Sequence, residues 1–168
     1  MPPPCAFEAQ GEFAGLWHTH EDRLGCPLAL NPHLINDAEQ AFQNGHMFWR
    51  QDNDYAYVLY EQGGLAGQQE AFTGMWSEGD DNYSCPASPP PGFVQPERGF
   101  GKVWCVLGAE SAPIGWGLGK EAPFGPGYGE PLVQDFDHGM IFRDSDGTTQ
   151  HLAYVLFWDD DTFVRQGY

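Results

Sequence analysis

The sequence predicts an all-β fold made of two tandem pseudo-repeats of short antiparallel strands, with little helix. The first observation is composition. The 22 glycines and 14 prolines among 168 residues are about twice the average share of these residues, and so many breakers favour short strands joined by turns. The second is an apolar content of 41%, with 15% aromatic residues, which is enough to bury a core and argues against disorder. The third is an internal similarity that orders the predicted elements.

Four blocks of similar sequence occur twice in the same order. The matching blocks are residues 13–17 and 100–104, 24–25 and 114–115, 40–48 and 134–142, and 56–60 and 153–157. They predict a first unit at 11–84 and a second unit at 99–168. Residues 1–10 are interpreted as the end of a proline-rich linker, and residues 85–98 as a proline-rich connector.

Each unit is predicted to contain a β-hairpin, because apolar runs flank turns that are rich in Asn, Asp and Gly. The expected strands are 45–49, 55–60 and 69–76 in the first unit, and 139–142 and 152–158 in the second. Residues 37–44 are assigned one turn of helix.

Two pairs of residues at matching positions are given structural roles. Gly45 and Gly139 precede the first strand of each hairpin, where the backbone is expected to need a positive φ or a close approach. Phe42 and Phe136 are predicted to pack in the core.

Four cysteines, none of them in a C-x-x-C pair, predict two disulfides and an oxidising compartment. Four cysteines allow three pairings. The repeat favours Cys5–Cys26 and Cys85–Cys105, because each pair then lies around the entry of one unit. Four buried free thiols are the alternative. The predicted location is extracellular or at the cell surface, with any export signal or anchor outside this sequence.

The charge of the chain restricts its partners. There are 24 acidic and 7 basic side chains, and the formal net charge is -17. Such a chain repels phosphate backbones, so the sequence predicts no nucleic-acid partner. An anionic membrane surface is disfavoured for the same reason. Direct membrane insertion is not expected either, because no stretch approaches the ~20 apolar residues of a membrane span.

The order of the shared motifs resembles the LGFP repeat of secreted and cell-wall-associated bacterial proteins. The matching residues are Trp17, Leu24-Gly25-Cys26-Pro27, Gln40, Phe42, Gly45 and Trp49 in the first unit, and Trp104, Ile114-Gly115, Gln134, Phe136 and Gly139 in the second. The second unit departs from the pattern at Gly117, where the proline is missing, and at Arg143, which replaces the tryptophan.

The whole chain also resembles a paired-unit domain at the C-terminal end of uncharacterised bacterial surface proteins, most clearly over residues 90–104. The LGFP resemblance implies a non-catalytic role in attaching a protein to cell-envelope polysaccharide. Neither resemblance implies a catalytic residue.

Aromatic residues that the repeat does not explain are the candidate ligand-binding residues, because the apolar faces of sugars stack on aromatic rings. They are Trp49, Trp76, Trp116, Tyr128 and Trp158. Trp17 and Trp104 recur in both units and are assigned to the core. Burial is the alternative for any single tryptophan.

The sequence predicts no cofactor, and calcium is the alternative at Asp144 and Asp146. Asp144 and Asp146 open a segment like a calcium loop, but the closing glutamate of an EF-hand is missing. A plain hairpin turn is the alternative. The acidic run 159–161 is a weaker candidate of the same kind, and a solvated strand edge explains it equally well.

His18 and His20, with Asp22, would suit a transition metal if this segment were extended, since residues i and i+2 share a strand face. A polar loop is the alternative.

The sequence therefore predicts a non-enzymatic extracellular binding module for cell-envelope or environmental polysaccharide. No nucleophile elbow, phosphate-binding loop or zinc-protease motif is present. One alternative is a self-associating component of a surface layer or filament. Another is a small secreted hydrolase that acts on glycosides, because the many acids guarantee some close carboxylate pairs.

Overall fold

The computed structural model describes residues 4–124, 131–143 and 152–168, and its fold is mostly β. The strands are β1 (His33–Leu34), β2 (Asp37–Phe42), β3 (Gly45–Arg50), β4 (Tyr55–Tyr60), β5 (Gln69–Thr73), β6 (Ala122–Phe124), β7 (Leu132–Phe136), β8 (Gly139–Arg143), β9 (Leu152–Phe157) and β10 (Thr162–Gly167). The α-helices in these residues are α1 (Ala14–Leu24) and α2 (Arg98–Val106). The strands form two five-stranded antiparallel sheets, which confirms the predicted fold class.

Both disulfides have the predicted partners, Cys5 with Cys26 and Cys85 with Cys105. The described residues contain no free cysteine. Such bonds persist in a non-reducing environment.

The chain divides into two compact units, but not in sequence order. The middle unit is Asn36–Phe124, with strand order β5-β4-β3-β2-β6. The terminal unit consists of Met1–Ile35 and Gly125–Tyr168, with strand order β1-β7-β8-β9-β10. These boundaries differ from the predicted units at 11–84 and 99–168, and the tandem arrangement is not what the structure shows. Helix α1 lies in the first predicted unit but packs on the sheet of the second. Helix α2 lies in the second predicted unit but packs on the sheet of the first.

The core of the middle unit lies between α2 and one face of its sheet. Phe100, Val103 and Trp104 of α2 are at most 2% exposed and pack with Met47 and Val58 of the sheet. Burying each large apolar side chain contributes about 1.5–3 kcal/mol. The Trp104 indole Nε1–H also donates to the Gly115 carbonyl at 2.8 Å, so the polar atom of this ring is satisfied inside the core.

The terminal unit repeats this arrangement with α1. Phe13, Leu16 and Trp17 pack with Phe136 and Ile141 of its sheet. The Trp17 indole Nε1–H donates to the Gly25 carbonyl at 2.9 Å. Core roles for Phe42, Phe136, Trp17 and Trp104 are therefore confirmed.

The two helices cover Trp17 and Trp104, in segments that the sequence does not predict to be helical. Phe13, Leu16 and Trp17 are spaced i, i+3 and i+4, as are residues 100, 103 and 104, and this spacing places them on one helical face. Helix α1 ends at Leu24 and is capped by Gly25, whose φ of 73° lies in the left-handed region that favours glycine. The assignment of a helical turn to 37–44 is also wrong, because 37–42 form strand β2 between β3 and β6.

Gly45 and Gly139 are required by close backbone approach, as predicted. A Cβ atom on Gly45 would lie 1.8 Å from the Leu59 carbonyl oxygen, and one on Gly139 would lie 2.1 Å from the Leu156 carbonyl oxygen. Gly45 also has a φ of 155°. No other residue type fits these positions without moving a neighbouring strand.

Candidate functional site

The middle unit contains a pocket walled by aromatic side chains, here called the aromatic pocket. Its volume is about 210 Å³. Its aromatic and apolar lining residues are Ala38, Trp49, Ala56, Phe72, Met75, Trp76 and Phe100, and its charged lining residues are Asp37, Asp54, Arg98 and Glu121. Trp49 and Trp76, two of the predicted ligand-binding residues, thus line one pocket although they are far apart in sequence.

The floor of the pocket is a row of directly paired residues across four strands. Trp49 on β3 lies between Ala38 on β2 and Ala56 on β4, and Ala56 in turn pairs with Phe72 on β5. Directly paired residues project from the same sheet face. The two alanines leave open space on both sides of the Trp49 indole, and this space forms the pocket.

The corresponding row of the terminal unit is filled differently. Leu132, Arg143, Ala153 and Gln166 are paired across β7, β8, β9 and β10. Arg143 takes the place of Trp49, and its guanidinium contacts the Glu12 carboxylate. The aromatic row of the pocket is therefore specific to the middle unit.

A carboxylate fixes the orientation of Trp49. The Trp49 Nε1–H donates to Asp54 Oδ1 at 3.0 Å. Asp54 lies in the β3–β4 turn with a φ of 57°, a left-handed conformation that aspartate tolerates better than most residues. Its backbone N–H donates to the Arg50 carbonyl at 2.9 Å. The Trp49 indole and the β3–β4 turn therefore stabilise each other, so the half-buried face of this indole is preorganised.

The start of α2 closes the opposite side of the pocket. Gly99 lies so close to Trp76 that a Cβ atom on it would be 3.3 Å from the Trp76 Cβ. The Arg98 guanidinium carbon lies 5.7 Å from the centroid of the Trp76 ring, within range of a cation–π contact. Arg98 also has a φ of 54°, and strained backbone of this kind is concentrated at functional sites.

The charged residues at the rim differ in their partners and in the direction in which their side chains project. Glu121 forms a long ion pair with Arg98, with 3.9 Å between Oε1 and Nη1. Burial raises the pKa of the Glu121 carboxyl, although Arg98 opposes this shift and Glu97 adds to it. Asp37 pairs with Arg50, not with Trp49, so its side chain projects from the other sheet face. The charged groups that face the pocket are therefore two carboxylates, Asp54 and Glu121, and one cation, the Arg98 guanidinium.

A second cavity adjoins the first one and shares Arg98 and Glu121 with it. It has a volume of about 570 Å³ and is more polar, and we call it the polar groove. Gln40, Gln95 and Lys120 contribute hydrogen-bonding groups to its lining. The aromatic pocket and the groove together offer space for a ligand longer than one ring.

The other predicted aromatic residues lie elsewhere. Trp116 is 8% exposed and packs on Trp104, with 4.9 Å between ring centroids, so it belongs to the core and cannot present a ring face to a ligand. Trp158 belongs to the terminal unit and is 38% exposed. Tyr128 lies outside the described residues.

The predicted metal ligands are not assembled in the described part of the chain. Asp144 and Asp146 fall outside it. Asp159 and Asp160 both accept hydrogen bonds from Arg23, each at 2.7 Å, and the Arg23 guanidinium holds the pKa of the Asp159 carboxyl below its usual range.

The histidine pair is also not a metal site of the expected kind. His18 and His20 lie on α1, so they do not share a face as they would on a strand. His20 Nε2 is hydrogen-bonded to Gln166 Oε1 at 2.9 Å.

Of the lining residues of the pocket, the sequence predicted only Trp49 and Trp76 as ligand-binding residues. Phe72, Met75 and Phe100 could have been recognised as apolar, but nothing in their spacing joins them. Arg98 and Glu121 carry no motif at all. The turn aspartate Asp54, five residues after Trp49, is the one polar member with a local signal.

None of the helices in the described residues is long and apolar enough to cross a membrane. Searches against family models, curated proteins and solved structures find no match to this chain.

Proposed function

We propose that this protein is a non-enzymatic, extracellular carbohydrate-binding module whose ligand site is the aromatic pocket of the middle unit. One observation carries the proposal. Trp49 and Trp76, which the internal similarity does not explain, line the same pocket together with Phe72. Aromatic faces beside carboxylates offer a sugar both an apolar platform and hydrogen-bond acceptors for its hydroxyl groups.

The dimensions of the pocket support a small ligand group. Pockets that enclose drug-sized ligands have volumes of about 300–1,000 Å³, and the aromatic pocket measures about 210 Å³. It suits one sugar ring, with the rest of a polysaccharide extending along the polar groove. The indole Nε1–H of Trp76, one of the lining residues, is buried and has no acceptor among the described residues.

The disulfides and the resemblance to LGFP repeats support the extracellular part of the proposal. Two disulfides fit secretion to an oxidising environment. The LGFP-like residues Gln40, Phe42 and Gly45 lie on the hairpin that carries Trp49. The LGFP-like residues and the candidate platform are thus parts of one hairpin, which supports a role at the cell envelope.

Glycan binding by the purified protein tests the proposal. A glycan array identifies ligands, and calorimetry compares the protein with Trp49→Ala and Trp76→Ala. Central tryptophans of binding sites contribute about 2 kcal/mol or more, so we expect each variant to bind at least about 30-fold more weakly.

Trp158→Ala is the matched control, because it removes an indole that lies outside the pocket. It is expected to bind like the unchanged protein. Absence of glycan binding by the folded protein contradicts the proposal, and so does an equal loss in all three variants.

A further inference from the structure

The aromatic pocket has the chemistry of a site for a positively charged group. Three partly buried aromatic side chains line it, those of Trp49, Phe72 and Trp76, and the buried Phe100 lies at its base. The faces of aromatic rings carry negative electrostatic potential, and pockets walled by several rings are used to hold alkylated ammonium groups. Neutral sugars need one or two stacking faces, whereas an enclosure by several rings suits a compact cation.

The charges around the pocket point the same way. Asp54 and Glu121 lie at its rim. The middle unit as a whole carries 12 acidic and 4 basic side chains. This field favours a cationic ligand and opposes an anionic one.

The protein already places one of its own cations at this rim. The Arg98 guanidinium lies 5.7 Å from the centroid of the Trp76 ring and pairs with Glu121 at 3.9 Å. Its side chain is 55% exposed, so the ion pair is screened by solvent and weak. A ligand cation would compete with Arg98 for the same ring and the same carboxylate.

We propose that the aromatic pocket binds an ammonium group, and that within the proposed glycan ligand this group is the free amine of an amino sugar. That the ligand is a sugar rests on the proposed function, whereas that it carries a cation rests on the pocket alone. A trimethylammonium substituent has the same charge chemistry, so a separate probe distinguishes the two sources.

Four ligands test the proposal in calorimetric titrations at 0.15 M NaCl, where long-range attraction is screened. They are a tetramer of glucosamine, a tetramer of N-acetylglucosamine, a tetramer of β-linked glucose, and choline. We expect the glucosamine tetramer to bind at least about ten-fold more tightly than the other two tetramers, because only it carries ammonium groups. Choline is expected to bind measurably as well.

Charge variants show whether binding occurs in this pocket. Asp54→Asn keeps an oxygen that can accept from Trp49 Nε1 but removes the charge, and Glu121→Gln does the same at the other rim position. Each should weaken glucosamine binding roughly three- to ten-fold. Asp81→Asn and Glu110→Gln are matched controls, since both residues are exposed and neither lines the pocket. We expect them to have no effect.

Arg98→Gln gives a test of opposite sign. Removing the competing cation should tighten binding of the glucosamine tetramer roughly three-fold, whereas a neutral or anionic ligand held by the guanidinium would bind more weakly. Lys102→Gln is its control, because Lys102 lies on the same helix but packs near Tyr83, outside the pocket. Circular dichroism confirms that each variant is folded.

The outcomes separate this inference from the proposed function. Equal or tighter binding of the N-acetylated or glucose tetramer overturns the ammonium site and leaves glycan binding in place. Binding of choline alone, sensitive to Asp54→Asn, supports the ammonium site and contradicts the sugar ligand. If the control variants weaken ammonium binding as much as the pocket variants do, the binding is non-specific attraction. This result overturns the inference.

Discussion

At the residue scale, one position separates the two sheets. Trp49 and Arg143 occupy the same place in equivalent strand pairs, each beside a small residue of the following strand. The tryptophan presents a ring to the pocket, whereas the arginine turns to a carboxylate of its own unit. Trp49 therefore contributes to the aromatic pocket of the middle unit, whereas Arg143 forms an ion pair in the terminal unit.

We expect Glu121 to make cation binding in the aromatic pocket dependent on pH. Burial raises its carboxyl pKa, Glu97 raises it further and Arg98 lowers it. Asp54 is the other carboxylate that faces the pocket, because the Asp37 side chain projects from the other sheet face. As pH falls, Glu121 loses its negative charge at a higher pH than an ordinary glutamate, whose pKa is about 4.3. We predict that choline, a permanent cation, binds progressively more weakly as pH falls from 7 towards 4.5.

Calorimetric affinities across this range check the prediction. In Glu121→Gln the upper part of the pH dependence should disappear. An unchanged profile in this variant would mean that another group titrates, and tighter binding at low pH would contradict the sign of the effect.

At the scale of elements, each disulfide ties down one helix-containing segment. Cys105 lies on α2, which also supplies Phe100 to the aromatic pocket, whereas Cys26 follows α1 in the terminal unit. The two bonds close loops of nearly equal length, with sequence separations of 20 and 21. Loop closure therefore predicts a similar stabilisation from each, about 3 kcal/mol.

We predict that the two disulfides differ in their effect on binding. Replacing Cys85 and Cys105 by alanine should lower stability and weaken ligand binding, because α2 is no longer held against the pocket. Replacing Cys5 and Cys26 by alanine should lower stability by a similar amount and leave affinity unchanged. Denaturant unfolding and calorimetry measure the two effects. Equal losses of affinity in both variants would show that overall stability, not the position of α2, controls binding.

The hairpins were predictable from sequence and the helices were not recognised, for physical reasons. The strands β3 and β4 are apolar runs that flank a turn rich in Asp and Asn, and this chemistry acts over a few residues. Helices α1 and α2 contain Gly15, Gly99 and Gly101, which are poor helix formers. Their helical spacing of apolar residues was the available signal. Tertiary burial of that face, not propensity, stabilises them.

At the scale of the whole molecule, the internal similarity was visible in the sequence but its spatial arrangement was not. The blocks around Trp17 and Trp104 each pack on the sheet of the other segment, at separations of more than a hundred residues in the case of Trp17 and Phe136. Local patterns predict which face of an element is buried. They do not predict which of the two similar sheets buries that face, because both sheets have apolar residues at the same positions.

The same similarity explains why the candidate site was only partly predictable. Trp49 and Trp76 stood out because they depart from the repeat. Phe72, Arg98 and Glu121 join them only through sheet pairing and the docking of α2, which are contacts between distant segments. Residues that depart from a repeated framework thus identify part of a candidate site. The complete site can be recognised only from the folded structure.

The net charge of -17 predicts that salt stabilises the whole protein. Acidic side chains outnumber basic ones in both units, and mutual repulsion opposes the compact state. Salt shortens the range of this repulsion from about 30 Å at 0.01 M to about 8 Å at 0.15 M. We therefore expect the melting temperature to rise by several degrees, roughly 1–2 kcal/mol of stability, as NaCl increases from 0.01 M to 0.5 M.

Differential scanning calorimetry measures this rise, and divalent ions show whether it is general. Screening predicts equal effects of 1 mM MgCl₂ and 1 mM CaCl₂ added to 0.15 M NaCl, because the two salts have the same ionic strength. A larger effect of calcium that is lost in Asp144→Asn would instead reveal the calcium site that the sequence allows at Asp144 and Asp146. A melting temperature that falls with NaCl would show that ion pairs such as Arg23–Asp159 outweigh the repulsion between like charges.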